Sequence, residues 1–186
     1  MDNFHDTQKL KGRYSLTIRK PNGDTKQVWQ PNKLGFAILK RVGFSVRIPF
    51  ITGNWSDSFE TPNQIVNDGL EAAVGTTGVD AFDYLALGTS STAVSSSDSS
   101  LGSELTSDGL SRAQGTTSKT TTNVTNDTHE VTNTFTYSGN TSTTVEELGA
   151  FDSSSGGTMF SRTLTGGKAV DTNGETIDVT FKVTAS

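Results

Sequence analysis

VEELGAFDSSSGGTMF, residues 145–160, decides the fold class of this chain. Val145, Leu148 and Phe151 lie before, and Met159 and Phe160 after, a stretch rich in Ser and Gly, the pattern of a tight antiparallel hairpin with one face buried. Gly156 and Gly157 permit left-handed backbone at the turn, and Ser153, Ser154 and Ser155 keep the loop soluble with no side chain that must be covered. Such a hairpin cannot hide its apolar face alone, so the rest of the chain is expected to supply strands that close a sandwich around it.

Downstream, Ile177, Val179, Phe181 and Val183 alternate with Asp178, Thr180, Lys182 and Thr184, the cleanest period-two pattern in the sequence. The turn before it is Thr172-Asn173-Gly174-Glu175. Upstream, residues 110–124 and 129–137 read as a long Thr-rich hairpin turned by Thr125-Asn126-Asp127-Thr128, and residues 83–88 (DYLALG) as a short buried strand. Between them, residues 89–100 are almost wholly small and polar and read as an exposed loop that is mobile unless a partner orders it. Strands joined by short turns, with no helix after Gly78, imply a mainly β chain with a C-terminal antiparallel, jelly-roll-like sandwich over residues 79–186.

Residues 1–78 differ. Tyr14, Leu16 and Ile18 alternate into a turn at Pro21-Asn22-Gly23-Asp24, and Val28 and Trp29 return from it, so the chain opens with a hairpin. Leu34, Ile38 and Leu39 share a helical face over residues 32–41, with Gly35 inside it and Gly43 to end it. Pro49 within FSVRIPFITGN, residues 44–54, suits an edge strand or an irregular arm. Thr61-Pro62 looks like a cap and first turn of a second short helix through Ile65, Val66, Leu70, Ala73 and Val74, stopped by Gly75. Residues 1–78 are therefore expected to form an adaptor, a β-hairpin and two short helices packed on one end of the sandwich.

Composition narrows the function. The 186 residues are 31% hydrophobic and carry a net charge of −5, so polarity comes from Ser, Thr, Asn and Gly rather than from charge, and a folded chain is expected instead of a disordered one. With no cysteine, neither disulfides nor thiolate metal sites are available. A sequence pI of about 4.9 argues against a sequence-independent grip on nucleic acid. No apolar run reaches membrane-spanning length and residues 1–15 lack a signal-type apolar core, so no membrane association is expected and the chain is read as made in the cytoplasm without export.

No residue set reads as catalytic. His5 and His129 are the only histidines, and pairing His129 with Asp127 in a turn, without a GxSxG elbow, makes a poor triad. Glu146 and Glu147 are adjacent and point to opposite faces of a strand, so one is expected in solvent and the other paired or at an interface. Asp98, Asp108, Asp152 and Asp171 are not grouped in a calcium loop, and Gly166-Gly167-Lys168 lacks the phosphate-loop frame. Four Asn-X-Ser/Thr matches, at Asn54, Asn123, Asn126 and Asn140, are expected by chance in so Ser/Thr-rich a chain. No cofactor is expected. Trp55, among Asn54, Ser56 and Asp57, can stack on a sugar, plug an interface or fold back on the chain.

One resemblance is carried by the order of motifs: YLALGT at 84–89, LGSEL at 101–105, LSRA at 110–113, VEELGAFD at 145–152, GGTMFSR at 156–162 and ETIDVTFKV at 175–183, with LKGRY at 10–14 upstream. This order resembles small virion structural proteins of tailed bacteriophages, from about Ile65 onward. The resemblance implies a non-enzymatic structural component located in the virion, at the neck, tail or fibre-attachment site or as a capsid decoration protein, homo-oligomeric in the particle and partnered by other virion proteins. The chain departs from the group in its Ser-rich loop after Gly88 and in Glu146-Glu147, which bear on the partner surface. The residues expected to dock are Leu34, Phe36, Ile38, Phe44, Ile48, Phe50 and Trp55. The rival readings are a carbohydrate-binding module, with Trp55, Tyr84 or Tyr137 stacking on a glycan, and a hydrolase using His129.

Overall fold

The computed structural model describes residues 9–42, 46–75 and 77–185. Gly43, expected to end the first helix, Phe44 and His5 lie outside them. In chain order the elements are β1 (Leu10–Arg19), β2 (Thr25–Lys26), β3 (Val28–Pro31), α1 (Lys33–Val42), β4 (Gly53–Ser56), β5 (Phe59–Pro62), β6 (Gln64–Ile65) and α2 (Asn67–Val74). After a 3₁₀ turn at Val79–Ala81 come β7 (Tyr84–Gly88), β8 (Ala113–Gln114), β9 (Thr116–Thr120), β10 (Thr128–Thr136), β11 (Thr143–Phe151), β12 (Met159–Val170) and β13 (Thr176–Ala185).

Alternation in β13 is obeyed along its length: Ile177, Val179, Phe181 and Val183 are buried and their neighbours are not. That strand sits inside a sheet ordered β2-β1-β13-β10-β9, with β5 also on β1; the second sheet runs β6-β12-β11-β7-β8, and β3 and β4 form a separate ribbon. All strand pairs of the two sheets are antiparallel and they nest, β1 with β13, β6 with β12, β7 with β11 and β9 with β10. This is a jelly-roll-like sandwich, mainly β with two helices.

The core lies between the sheets. Tyr14, Leu16, Phe59, Val131, Phe135 and Phe181 meet Leu85, Leu87, Leu148, Ala150, Phe160 and Val170. Phe181 packs on Tyr14 and Phe160 with ring centroids 5.0 and 5.8 Å apart. Polar contacts cross this apolar layer, among them Tyr14 Oη with Ser161 Oγ at 3.0 Å, Thr61 Oγ1 with Thr163 Oγ1 at 3.3 Å, and Thr163 Oγ1 donating to the Pro62 carbonyl at 3.1 Å. Burial raises the Tyr14 hydroxyl well above the usual tyrosine pKa, so it stays protonated and able to donate.

Several expectations need correcting: the return strand of the opening hairpin is the short β2, while Val28 and Trp29 pair with β4 instead of β1. Residues before 79 supply β1, β5 and β6, so the region 1–78 is built into the sandwich instead of standing on one end of it. β1 pairs with β13 over ten residues, Leu10 opposite Ala185 through Arg19 opposite Thr176, an adjacency that alternation alone does not reveal. Thr61-Pro62 ends strand β5 opposite Tyr14 and Arg13, and α2 starts at Asn67 without a side-chain cap. Cross-sheet contact at Thr61 outweighs the local helix-start signal there.

The outer face of the second sheet is covered too. Val66, Ala86, Leu101, Phe151 and Met159 form a smaller apolar cluster beneath the Ser/Thr-rich segment after β7. Glu147, with no solvent exposure, anchors that segment: its carboxylate accepts from Arg162 Nε at 2.6 Å and from the backbone N–H groups of Gly102 and Ser103 at 3.1 and 2.8 Å. Arg162 also donates to Asp98 at 2.8 Å and to the Thr92 carbonyl at 3.1 Å. Arg112 performs the second fastening, paired with Glu104 at 2.6 Å, bonded to the Ser153 and Gly156 carbonyls and lying 3.5 Å over the Phe151 ring. The loop expected to await a partner is thus clamped by its own chain.

Candidate docking surface

α1 is built by its cap and its close approach. Asn32 Oδ1 accepts from the N–H groups of Leu34 and Gly35, both at 3.0 Å, and Asn32 Nδ2 donates to the Ile51 carbonyl at 2.8 Å, tying the helix to the following arm. Gly35 is required there: a Cβ would sit 2.0 Å from the Thr52 carbonyl oxygen. Thr52, buried, hydrogen-bonds through its hydroxyl to Val46 and Ile48, and its N–H donates to the Ile48 carbonyl at 2.9 Å.

This closed arm lifts a phenyl ring into solvent. Phe50 has φ of 65°, left-handed backbone that a bulky residue adopts only when its surroundings impose it, and is 89% exposed. Ile48, Ile51 and Trp55 of the arm and Leu34 at the start of α1, beside Asn32 which bonds Ile51, are exposed as well. Trp55 stands on β4 opposite Trp29, the two rings edge to face with centroids 5.8 Å apart, and Trp29 is buried. Of the residues expected to dock, Leu34, Ile48, Phe50 and Trp55 come together here; Phe36 instead packs on Phe59 at 6.0 Å, and Ile38 is half-buried. Ile51 joins the surface without having been singled out; it is carried by the same arm, in a run whose Pro49 hid its regularity.

Along the sequence this stretch is one-sided in charge, although Lys26 is paired with Asp171 and Glu175 and Arg47 lies near Glu146. Between Asp24 and Asp57 the chain has Lys26, Lys33, Lys40, Arg41 and Arg47 and no acidic residue. With 15 basic and 20 acidic residues in all, the remainder holds ten basic against twenty acidic. Arg47 donates to the carbonyls of Gly166 and Gly167 at 3.3 and 3.2 Å, fastening the arm to β12.

The other residues tested for chemistry are dispersed. His129 is buried and its Nδ1 lies 3.7 Å from Asp80, while Asp127 accepts from the N–H groups of Thr122, Asn123 and Val124, which lower its pKa to about 2. Burial pulls the His129 pKa below its usual value, with Asp80 opposing, and Nε2 has no hydrogen-bond partner. Asp98, Asp152 and Asp171 serve Arg162, the Thr158 N–H and Lys26 respectively, and Asp108 accepts from Ser107. Among the described residues no three His, Asp or Glu side chains gather to hold a metal ion, and no helix is long and apolar enough to cross a membrane. Tyr137 is buried and Tyr84 half-buried, leaving Trp55 as the exposed ring of the three weighed for stacking. Lys168 is buried with its Nζ 4.1 Å over the Phe59 ring and donating to the Thr165 carbonyl; desolvation pushes its pKa down to about 7.

Compared with known proteins, the chain matches no family model, no curated protein and no solved structure.

Proposed function

We propose that this chain is a non-enzymatic structural component of a tailed-bacteriophage virion, docking onto a neighbouring virion protein at the neck, tail or fibre-attachment site through the surface around Phe50. The observation that carries this reading is the display of Phe50: an aromatic ring held in solvent on left-handed backbone, bordered by Ile48, Ile51, Trp55 and Leu34. Contiguous exposed apolar groups of this kind mark interaction sites, and buried aromatic anchors dominate the energy of interfaces. The order of motifs from YLALGT to ETIDVTFKV supports the virion assignment, and the same surface would serve a capsid decoration protein.

The test is detection of the chain in gradient-purified particles, followed by complementation with Phe50→Asp. The wild type is expected in the particles and the variant is expected to be missing from them while remaining folded. A chain found only in the unassembled fraction refutes the reading. A carbohydrate-binding role is favoured by one observation, the exposure of Trp55 at 56%; saturable binding of the monomer to a glycan array, lost on Trp55→Ser, would establish it.

A further inference from the structure

We infer that a basic groove on this chain is a peptide-binding site, and that its occupant is the chain's own residues 1–8. The groove, about 780 Å³, shares no residue with the surface around Phe50, so the inference stands apart from the docking role. Its basic side is the outer face of the first sheet, where Lys11 and Arg13 of β1 lie opposite Thr184 and Lys182 of β13. Ile65 of β6 and Leu70 of α2 give it an apolar side. No carboxylate lines it, in a chain of net charge −5. Arg13 meets Glu60 loosely, at 3.6 Å with both side chains more than half exposed, and Lys182 meets Glu130 at 2.5 Å. Those two glutamates line the adjoining cavity with Ser15 and Thr180, whereas Lys11 has no ion-pair partner among the described residues. The groove therefore offers positive charge at its Lys11 end beside an apolar side.

A second feature points to a peptide. Asn63, also in the lining, is packed so closely on Gly12 that a Cβ there would come within 2.1 Å of its Oδ1, and both Oδ1 and Nδ2 are out of solvent with no hydrogen-bond partner. Buried polar groups are nearly always paired, and a carboxamide, donor and acceptor side by side, is matched by a peptide group. The chain carries a segment of the right chemistry at the right place. Residues 1–8, MDNFHDTQ, hold Asp2 and Asp6 and no lysine or arginine, with Phe4 between them, and they lead through Lys9 into the groove-lining Leu10 and Lys11. In an extended segment Asp2, Phe4 and Asp6 share one face, which sets two carboxylates and a ring against cations and an apolar side. A reversal at Thr7-Gln8 leaves Met1 to Asp6 a reach of about 20 Å at roughly 3.3 Å per residue, more than the spacing of Lys11, Arg13 and Lys182, about 8 Å by strand geometry. So short a tether holds the segment at millimolar effective concentration, so modest contacts suffice and the chain's own segment outcompetes a second copy's.

The experiment is chymotrypsin cleavage after Phe4 in the full chain, followed by mass spectrometry of the released Met1–Phe4 peptide and normalised to a free peptide of residues 1–9 with the same sequence. Cleavage of this kind tracks the fraction of time a segment is undocked. The wild type at low salt is expected to release the peptide at least about tenfold more slowly than the free peptide does, with the protection shrinking as salt is raised. Lys11→Glu, Leu70→Asp and Asp6→Lys should each remove most of that protection while the circular dichroism spectrum stays unchanged. The double variant Asp6→Lys/Lys11→Glu, in which the charges are exchanged, should regain at least half of it. A wild type cleaved as fast as the free peptide overturns the inference. Protection that Lys11→Glu and Leu70→Asp both leave intact overturns it too, because the segment then rests somewhere other than the groove. Protection that appears only as protein concentration rises overturns it in favour of a segment exchanged between copies.

Discussion

Replacing Glu147 with Leu tests the clamp that holds residues 89–105 against the second sheet. The substitution removes a fully buried carboxylate that meets Arg162 and the backbone N–H groups of Ser90, Gly102 and Ser103, and leaves the Arg162 guanidinium, itself 3% exposed, without its closest partner. Removing one member of a buried ion pair costs about 3–5 kcal/mol. Asp98 remains 2.8 Å from Arg162 and compensates part of the charge, so the lower end, about 3 kcal/mol, is expected. In a chain of this size that lowers the melting temperature by roughly 6–12 °C. Urea unfolding of wild type, Glu147→Leu and the double variant Glu147→Leu/Arg162→Met measures it, with hydrogen exchange at the Gly102 and Ser103 amides reporting the loop. The double variant should recover at least half the loss, because the stranded cation is gone. If Glu147→Leu costs under about 1 kcal/mol, or the double variant is no better than the single, the clamp is not what orders the loop.

Other substitutions probe separate layers. Gly35→Ala, which in an open helix would stabilise, is expected to cost about 1–3 kcal/mol by urea melt because the added Cβ meets the Thr52 carbonyl; a neutral result would mean that α1 is not seated on the arm. Tyr14→Phe should cost about 1 kcal/mol through loss of the bond to Ser161, and an unchanged midpoint would remove that contact from the core. Lys168, with its pKa pushed down to about 7, releases its proton on folding, so the unfolded chain binds more protons from there up to the ordinary lysine range and stability rises with pH across that window. Lys168→Met should therefore be more stabilising at pH 6 than at pH 9, and an equal effect at both refutes the assignment. The depressed His129 pKa predicts stability lost as pH falls below about 6.5, a slope that His129→Gln should flatten in urea midpoints taken between pH 7 and 5.

How far the fold is legible depends on which faces meet water. β13 shows its period because one side faces the core and the other carries Asp178, Thr180 and Lys182, and the hairpin of β11 and β12 is marked by its Ser/Gly turn. The interior of that hairpin is harder. Both faces are covered, so Glu147 and Arg162 appear in the sequence as ordinary polar strand positions although they are diagonal neighbours, two residues off direct opposition, and deeply buried. Reading one of the adjacent glutamates as paired was correct for Glu147, but its partner is named only by the strand register. β1 is legible as a strand and not as an interior one, since nothing local says that a strand near the start lies beside the last. The exposed apolar group around Phe50 is half visible. Leu34, Ile48, Phe50 and Trp55 stand out as apolar groups in an arm broken by Pro49, whereas Phe36 is drawn into the core by Phe59, a contact across two elements. α2 is legible through Leu70 and Val74, but it begins at Asn67, later than Thr61-Pro62 suggests, because those two residues are held in β5.

The adjacency of β1 and β13 sets a timetable for synthesis. Residues 10–19 emerge from the ribosome long before their neighbours at 176–185, and until those arrive Tyr14, Leu16 and Ile18 have no strand on that edge. Loop closure of this span must precede the contacts that reward it, which makes such topologies slow to fold and prone to sticking meanwhile. A nascent chain of this protein should therefore engage holding chaperones until translation passes Ala185, and stalled products lacking β13 should accumulate as aggregates instead of as a smaller soluble body.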